Sequence, residues 1–156
     1  MEGTEVIGVA ADHGGFELKE AMKKLITEQG YEIKDFGSTK LDPEDDFPDM
    51  VSLLARAVGS GELRRGIAFC GSGVGASVVA NKVPGVFACL INETYSAHQG
   101  VEHDNMNLLC LGGRVVGESL AAEIVKAFLN ASYIGSGRFK RRVDKIIALE
   151  QEQLKD

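Results

Sequence analysis

The sequence predicts an α/β fold in which a parallel sheet is covered by helices on both faces. Three observations carry that expectation. Short apolar runs alternate with amphipathic segments along the whole chain, the pattern of strand–helix–strand units. The apolar runs are continuous rather than alternating, as in strands buried on both sides. Glycine is in excess, 19 of 156 residues against a usual share of about 7%, and marks tight turns or close backbone approaches.

Taken in order, Val6–Ala11 is the first buried strand. Asp12-His-Gly-Gly15 follows, and Phe16 opens a helix whose stripe is Leu18, Met22, Leu25 and Ile26, with Gly30 as its stop. Tyr31–Asp35 reads as a shorter strand and Gly37–Pro48 as an acidic loop. Pro48 or Asp49 opens a helix carrying Val51, Leu54, Ala55 and Val58, closed near Gly59-Ser-Gly61. The third strand ends at Cys70, and a glycine loop leads into a helical pattern over Val74–Asn81. Val86–Leu90 is the fourth strand. Helix is expected in the first half of Asn92–Asn107, which places His103 in a loop. Asn107–Leu111 is the fifth strand, and Ser119–Leu129 a helix with Ile124, Val125 and Phe128 inward. A last helix begins at Arg138 and aligns Val143, Ile146, Ile147 and Leu154 on one side. No repeat or long linker divides the chain, so residues 1–156 are read as a single domain.

Composition narrows the function. A net charge of −6 argues against nucleic acid, which selects a basic footprint. No apolar run approaches the length of a membrane span, and no signal peptide is visible at the start. Cys70, Cys89 and Cys110 are an odd set without metal-ligand spacing, so a reducing cytoplasm is expected. Cys89 and Cys110 lie inside apolar runs and read as small core residues.

In a parallel sheet, ligands bind beyond the carboxyl ends of the strands. That rule gathers Asp12 and His13 after strand one, Cys70 and Gly71 after strand three, and Arg114 after strand five. Gly71-Ser-Gly-Val-Gly75 lacks both the P-loop ending and the dinucleotide glycine spacing. At a helix start such a loop binds phosphate, stabilises an oxyanion or activates a thiol. The residues alone leave all three open. Cys70 is a base or nucleophile on one reading and a buried strand cysteine on the other. His13 has the stronger position for ligand contact and His98 the weakest of the three histidines. Arg138 and Arg142, four apart, share a helical face that could hold a phosphate. No metal site is expected.

Together these motifs resemble the ribose-5-phosphate isomerase B family, which includes the allose-6-phosphate and galactose-6-phosphate isomerases. The matching segments are Ala11-Asp-His-Gly-Gly-Phe16, Asp46-Phe-Pro-Asp49, Cys70-Gly-Ser-Gly-Val-Gly75 with Ala80-Asn-Lys82, Tyr95-Ser-Ala97, His103, Gly113-Arg-Val-Val-Gly117, and Arg138 with Arg142. The resemblance implies a Rossmann-like three-layer α/β/α sandwich with a five-stranded parallel sheet. It also implies a homodimer, sometimes paired into tetramers, with shared active sites and the C-terminal helix packed on the partner. The implied reaction is aldose–ketose isomerisation of a sugar phosphate through a cis-enediolate, with no metal or cofactor.

By matching position, Cys70 is the base that moves a proton between C1 and C2, with Ser72 beside it. The N–H groups of Gly71, Ser72, Gly73, Val74 and Gly75 form the anion hole. His103 opens the sugar ring, and Asp12 contacts the ring or its hydroxyls. His13, Arg114, Arg138 and Arg142 bind the phosphate, the last two from the partner. Two positions depart from the ribose enzymes: Asp104-Asn105 stands where Asn-Asp is usual, and Phe47 where Tyr is frequent. Both fall where sugar hydroxyls are expected, so ribose 5-phosphate leads while a tetrose 4-phosphate, allose 6-phosphate or galactose 6-phosphate stays open. A non-catalytic sugar-phosphate binder would need neither Cys70 nor His103. A cysteine hydrolase would need a histidine pairing motif that the sequence does not display.

Overall fold

In the computed structural model, which describes residues 3–155, the strands are β1 (Val6–Ala11), β2 (Glu32–Asp35), β3 (Arg65–Cys70), β4 (Ala88–Leu90) and β5 (Leu108–Gly112). The helices are α1 (Phe16–Glu28), α2 (Phe47–Gly59), α3 (Val74–Ala80), α4 (Thr94–Asp104), α5 (Glu118–Asn130) and α6 (Gly137–Gln153). The sheet order is β2-β1-β3-β5-β4 and every pair is parallel. The order in which strands are added reverses between β1 and β3, β2 lying to one side and β3, β5 and β4 to the other, and a crevice opens at such a switch point. Asp12 and Cys70 stand on either side of it.

Side-chain alternation along β3 divides the core. Ile67 and Phe69 pack with Leu18, Met22, Ile26, Ile124 and Phe128 of α1 and α5. Ala68 and Cys70 face Val51, Leu54, Val58, Ala76 and Ala80 of α2 and α3. The sulfur therefore leaves the sheet towards the α2/α3 layer. The three-layer sandwich expected from the sequence is the one observed.

Two boundaries and one burial pattern differ from the sequence reading. β4 starts at Ala88 rather than Val86. The Asn81 amide pairs with both the N–H and C=O of Ala88, and Asn107 Oδ1 accepts the Phe87 N–H, while the Phe87 carbonyl still accepts the backbone N–H groups of Asn107 and Leu108. α4 runs to Asp104, capped by the Glu93 carboxylate on the Ser96 N–H and ended by Asn105 at φ 57°. His103 thus belongs to a last helical turn and not to a loop. Of the α6 stripe only Val143 is buried, while Ile146, Ile147 and Leu154 stay exposed. A Glu150 carboxylate accepting the Gly85 N–H ties the helix down.

Lys19 is fully buried, which its place in an amphipathic pattern did not announce. Its ammonium donates to both Asp35 oxygens at 3.0 Å and to the Ser38 carbonyl. Burial alone pushes the Asp35 carboxyl up, but hydrogen bonds from Lys23, the Gly37 N–H and Lys19 outweigh it and hold it below its ordinary value. The pair fixes the turn after β2 against α1.

Candidate active site

The carboxyl edge gathers the residues expected there. Asp12, Phe47, Cys70, Gly71, Ser72, Gly75, Arg114 and Val115 line a cleft of about 330 Å³, at the small end of the roughly 300–1,000 Å³ typical of small-molecule sites. An adjoining pocket of about 260 Å³ lies between His13, Gly14, Glu17, Leu41 and Arg114. Arg114 lines both, so the two are neighbouring parts of one edge. A separate hollow of about 450 Å³ between Pro84, Phe87 and Leu149 of α6 is walled mainly by apolar groups.

Backbone constraints build the cleft. Gly73 adopts φ 84°, which L side chains rarely take. A Cβ there would lie 2.5 Å from Leu90 Cδ1 and 3.0 Å from the Leu111 carbonyl carbon. At Gly75 a Cβ would come within 2.6 Å of the Phe47 ring, which closes one wall. The Gly73 N–H donates to Cys70 Sγ at 3.1 Å, and the Val74 N–H to Ser72 Oγ at 3.3 Å. Two of the five loop N–H groups expected to line an anion hole are thus turned onto the thiol and hydroxyl. Cys70 is buried, with a backbone donor on its sulfur; a charge on that sulfur would be met by an N–H dipole. Cys110, by contrast, is wholly enclosed, and burial pushes its thiol up.

Asp12 Oδ1 accepts the N–H groups of Gly14 and Gly15 at 2.9 and 3.2 Å, leaving Oδ2 with the remaining acceptor capacity. His13 presents a ring one-third exposed, held by Asp45: Asp45 Oδ1 accepts the His13 N–H at 2.9 Å and contacts Nδ1 at 2.8 Å. That hydrogen bond raises the imidazole above its ordinary value; burial opposes it, the charges of Asp12 and Asp45 add to it, and Arg114 subtracts. Donor atoms of Asp12, His13 and Asp45 lie within 4.8 Å of one another, and their hydrogen bonds account for the clustering. Among the described residues the Arg114 guanidinium has no carboxylate partner.

The remaining expected residues lie elsewhere in this chain. Asn105 shares a pocket with Arg64, Arg65 and Tyr133, and the Gly66 N–H donates to Asn107. Arg65 and Cys70 are the two ends of β3, five rises or roughly 16 Å apart. His103, Asp104 and Asn105 therefore mark the amino edge, opposite the thiol. His103 stacks on Phe139 of α6 at 4.3 Å, and the Arg138 guanidinium lies 4.7 Å from the same ring. The Gln99 amide donates to His103 Nδ1 at 2.9 Å; with Nδ1 accepting, Nε2 carries the proton of a neutral ring. Arg138 and Arg142 are exposed on one face of α6. His98 pairs instead with Glu102 on its own helix. Sequence reasoning missed Asp45, one acidic residue among several in the loop 42–46; only its contact with His13 singles it out.

An edge built this way suits an α/β enzyme that grips a small anion and moves a proton beside it. The ribose/galactose isomerase family model matches residues 7–146. Ribose-5-phosphate isomerase B of Escherichia coli is 42% identical over 94% of this chain and 97% of its own length. The D-erythrulose-4-phosphate isomerase of Pectobacterium atrosepticum is 34% identical over 94% and 96%. The crystal structure of Mycoplasma genitalium ribose-5-phosphate isomerase B with bound ribulose 5-phosphate superposes with a TM-score of 0.90, at 38% identity, over 97% of this chain and 99% of that one. The chain belongs to the ribose/galactose isomerase family and is a sugar-phosphate isomerase of the ribose-5-phosphate isomerase B type.

Proposed function

We propose that the chain interconverts ribose 5-phosphate and ribulose 5-phosphate without a metal, in a homodimer whose active sites take residues from both copies. The observation that carries the reading is the juxtaposition of Cys70 with the glycine loop in a cleft that shares Arg114 with the His13 pocket. The phosphate occupies the His13–Arg114 pocket, joined by Arg138 and Arg142 of the partner subunit. The reacting end of the sugar reaches Cys70. As thiolate it takes the proton from C2 of the open-chain aldose and returns it to C1, while a proton passes between the two oxygens. The C–H is a weak acid, so stabilising the enediolate oxygens matters most, and each preorganised donor contributes about 3–4 kcal/mol. The N–H groups of Gly71, Ser72 and Gly75 and the Ser72 hydroxyl would be those donors, while Asp12, an acceptor, contacts the ring or its hydroxyls. Phosphate binding far from the reacting carbons contributes orientation.

Ring opening falls to His103 of the partner subunit, whose Nε2–H is its acid. The roughly 16 Å separation of edges within one chain supports a second copy, as does the uncovered apolar side of α6. A tetramer would be a pair of such dimers. Expected surroundings are the cytoplasm; among the described residues no helix is long and apolar enough to cross a membrane. A second reading, a tetrose 4-phosphate, is favoured by Phe47, whose ring offers no hydroxyl to a longer sugar. Assays of ribose 5-phosphate, erythrulose 4-phosphate, allose 6-phosphate and galactose 6-phosphate side by side distinguish them. Cys70→Ala should abolish isomerisation and leave sugar-phosphate binding nearly intact; retained turnover would refute Cys70 as the base.

A further inference from the structure

Asp45 has no part in the proton transfer at Cys70, yet it is placed as few surface-loop carboxylates are. Its side chain is nine-tenths buried, and Oδ2 is buried with no hydrogen-bond partner. Oδ1 takes both the backbone N–H and the ring Nδ1 of His13. Among the described residues His13 is the one basic group in contact with it. A buried carboxylate with a single neutral partner is costly, whereas one facing an imidazolium is compensated.

The geometry fixes protons as well as position. A carboxylate oxygen only accepts, so Nδ1 at 2.8 Å must carry a hydrogen. Nε2 is then the nitrogen left for the pocket shared with Arg114. In the neutral ring with Nδ1–H, Nε2 is a lone-pair acceptor and repels an anion. Only the doubly protonated ring donates there. We infer that Asp45 is a positioning residue that holds His13 as an imidazolium with Nε2–H aimed at the substrate phosphate, so that His13 and Arg114 meet the phosphate dianion as two cations. The inference rests on the proposed assignment of the His13–Arg114 pocket to phosphate.

The charged groups around the ring act in both directions. Asp45 from the acidic loop and Asp12 from the end of β1 favour the imidazolium, Arg114 after β5 disfavours it, and Glu17 of α1 lines the same pocket. Asp45 makes the largest contribution of these, by its hydrogen bond. Anion affinity should therefore persist above the ordinary imidazole value of about 6.5 and fall at higher pH as the ring loses its proton.

Sulfate is a suitable probe, because it stays a dianion across this range and needs no turnover. In the full-length protein, His13 titration is followed by ring NMR and sulfate affinity is measured at about pH 5.5 and pH 7.5. Asp45→Asn keeps the shape and the accepting oxygen but removes the charge. It should move the His13 titration down by about one pH unit, weaken sulfate about five- to tenfold at the higher pH, and leave affinity at the lower pH nearly unchanged. Asp45→Glu should recover part of the loss. An unmoved titration, or equal weakening at both pH values, would overturn the role given to Asp45. Wild-type sulfate affinity that falls through the ordinary imidazole value of about 6.5 instead of persisting above it would overturn it without any variant. Sulfate that leaves the His13 resonances unshifted, while Asp45→Asn still moves their titration, would instead overturn the phosphate assignment.

Discussion

Gly73→Ala tests the link between fold and chemistry at the loop after β3. The new methyl meets two obstacles, a backbone at φ 84° and a contact of 2.5 Å with Leu90 Cδ1 backed by the Leu111 carbonyl carbon at 3.0 Å. A left-handed L residue costs about 1–2 kcal/mol and overpacking about 1–3 kcal/mol, so a loss of roughly 2–5 kcal/mol is expected. Relief by shifting the loop would displace the Gly73 N–H from Cys70 Sγ. A hydrogen bond to a charged group contributes about 1.5–3 kcal/mol, so kcat should fall by roughly ten- to a hundredfold, with KM changed much less because the phosphate contacts lie elsewhere. Urea unfolding with an unchanged m-value gives the stability loss, and steady-state kinetics on the folded fraction give the rate. A variant as stable as wild type, or one that loses KM and keeps kcat, would refute the reasoning.

Arg138→Ala and Arg142→Ala should raise KM for every phosphosugar without changing their order of preference; an unchanged KM removes both from the phosphate site. Mixing Cys70→Ala subunits with Arg138→Ala subunits should restore turnover at low substrate concentration that neither shows alone, since one site of each hybrid keeps both halves. Asp35→Asn should destabilise the fold by about 3 kcal/mol, because it strips Lys19 of its buried counter-charge. The Asp35 carboxyl lies below its ordinary value when folded, so its contribution is present above the unfolded value of about 3.9 and is lost as pH falls through the lowered one. Acid unfolding curves of wild type and variant should therefore converge below about pH 4. Exhaustive chelation should leave isomerase activity unchanged, and a loss restored by a divalent ion would overturn the metal-free mechanism.

Much of the architecture was legible because it rests on burial patterns. β1 is apolar throughout and β3 from Gly66 to Cys70, so their burial followed from the chain alone, as did the meeting of Asp12, Cys70 and Arg114 at one edge. Polar side chains acting on backbone were not legible. Nothing in a pattern of apolar spacing marks Asn81 as the partner of the Ala88 backbone, or Asn105 as the cap that ends α4 past His103. Lys19 was hidden for the same reason: its partners are sixteen and nineteen residues away and visible only once β2 lies beside α1. Asp45 reaches His13 across thirty-two residues.

The proposed division of the site between two edges would explain the arrangement of charge. The carboxyl edge carries a thiol, Asp12 and the two groups proposed to bind the phosphate, His13 and Arg114. The amino edge carries His103 with Arg138 stacked through Phe139, and Asp104 and Asn105 beside them. In the proposed dimer a two-fold axis sets the amino edge of each copy against the carboxyl edge of the other, so one contact completes two identical sites. It also adds two arginines to a pocket that alone offers His13 and Arg114 to a dianion. An isolated copy would bind a phosphosugar weakly and hold it with no acid to open its ring. Activity should then depend on protein concentration through the dimer population, and dilution that separates the copies should abolish turnover in parallel with the loss of dimer measured by ultracentrifugation. Undiminished specific activity in a demonstrated monomer would exclude the shared site.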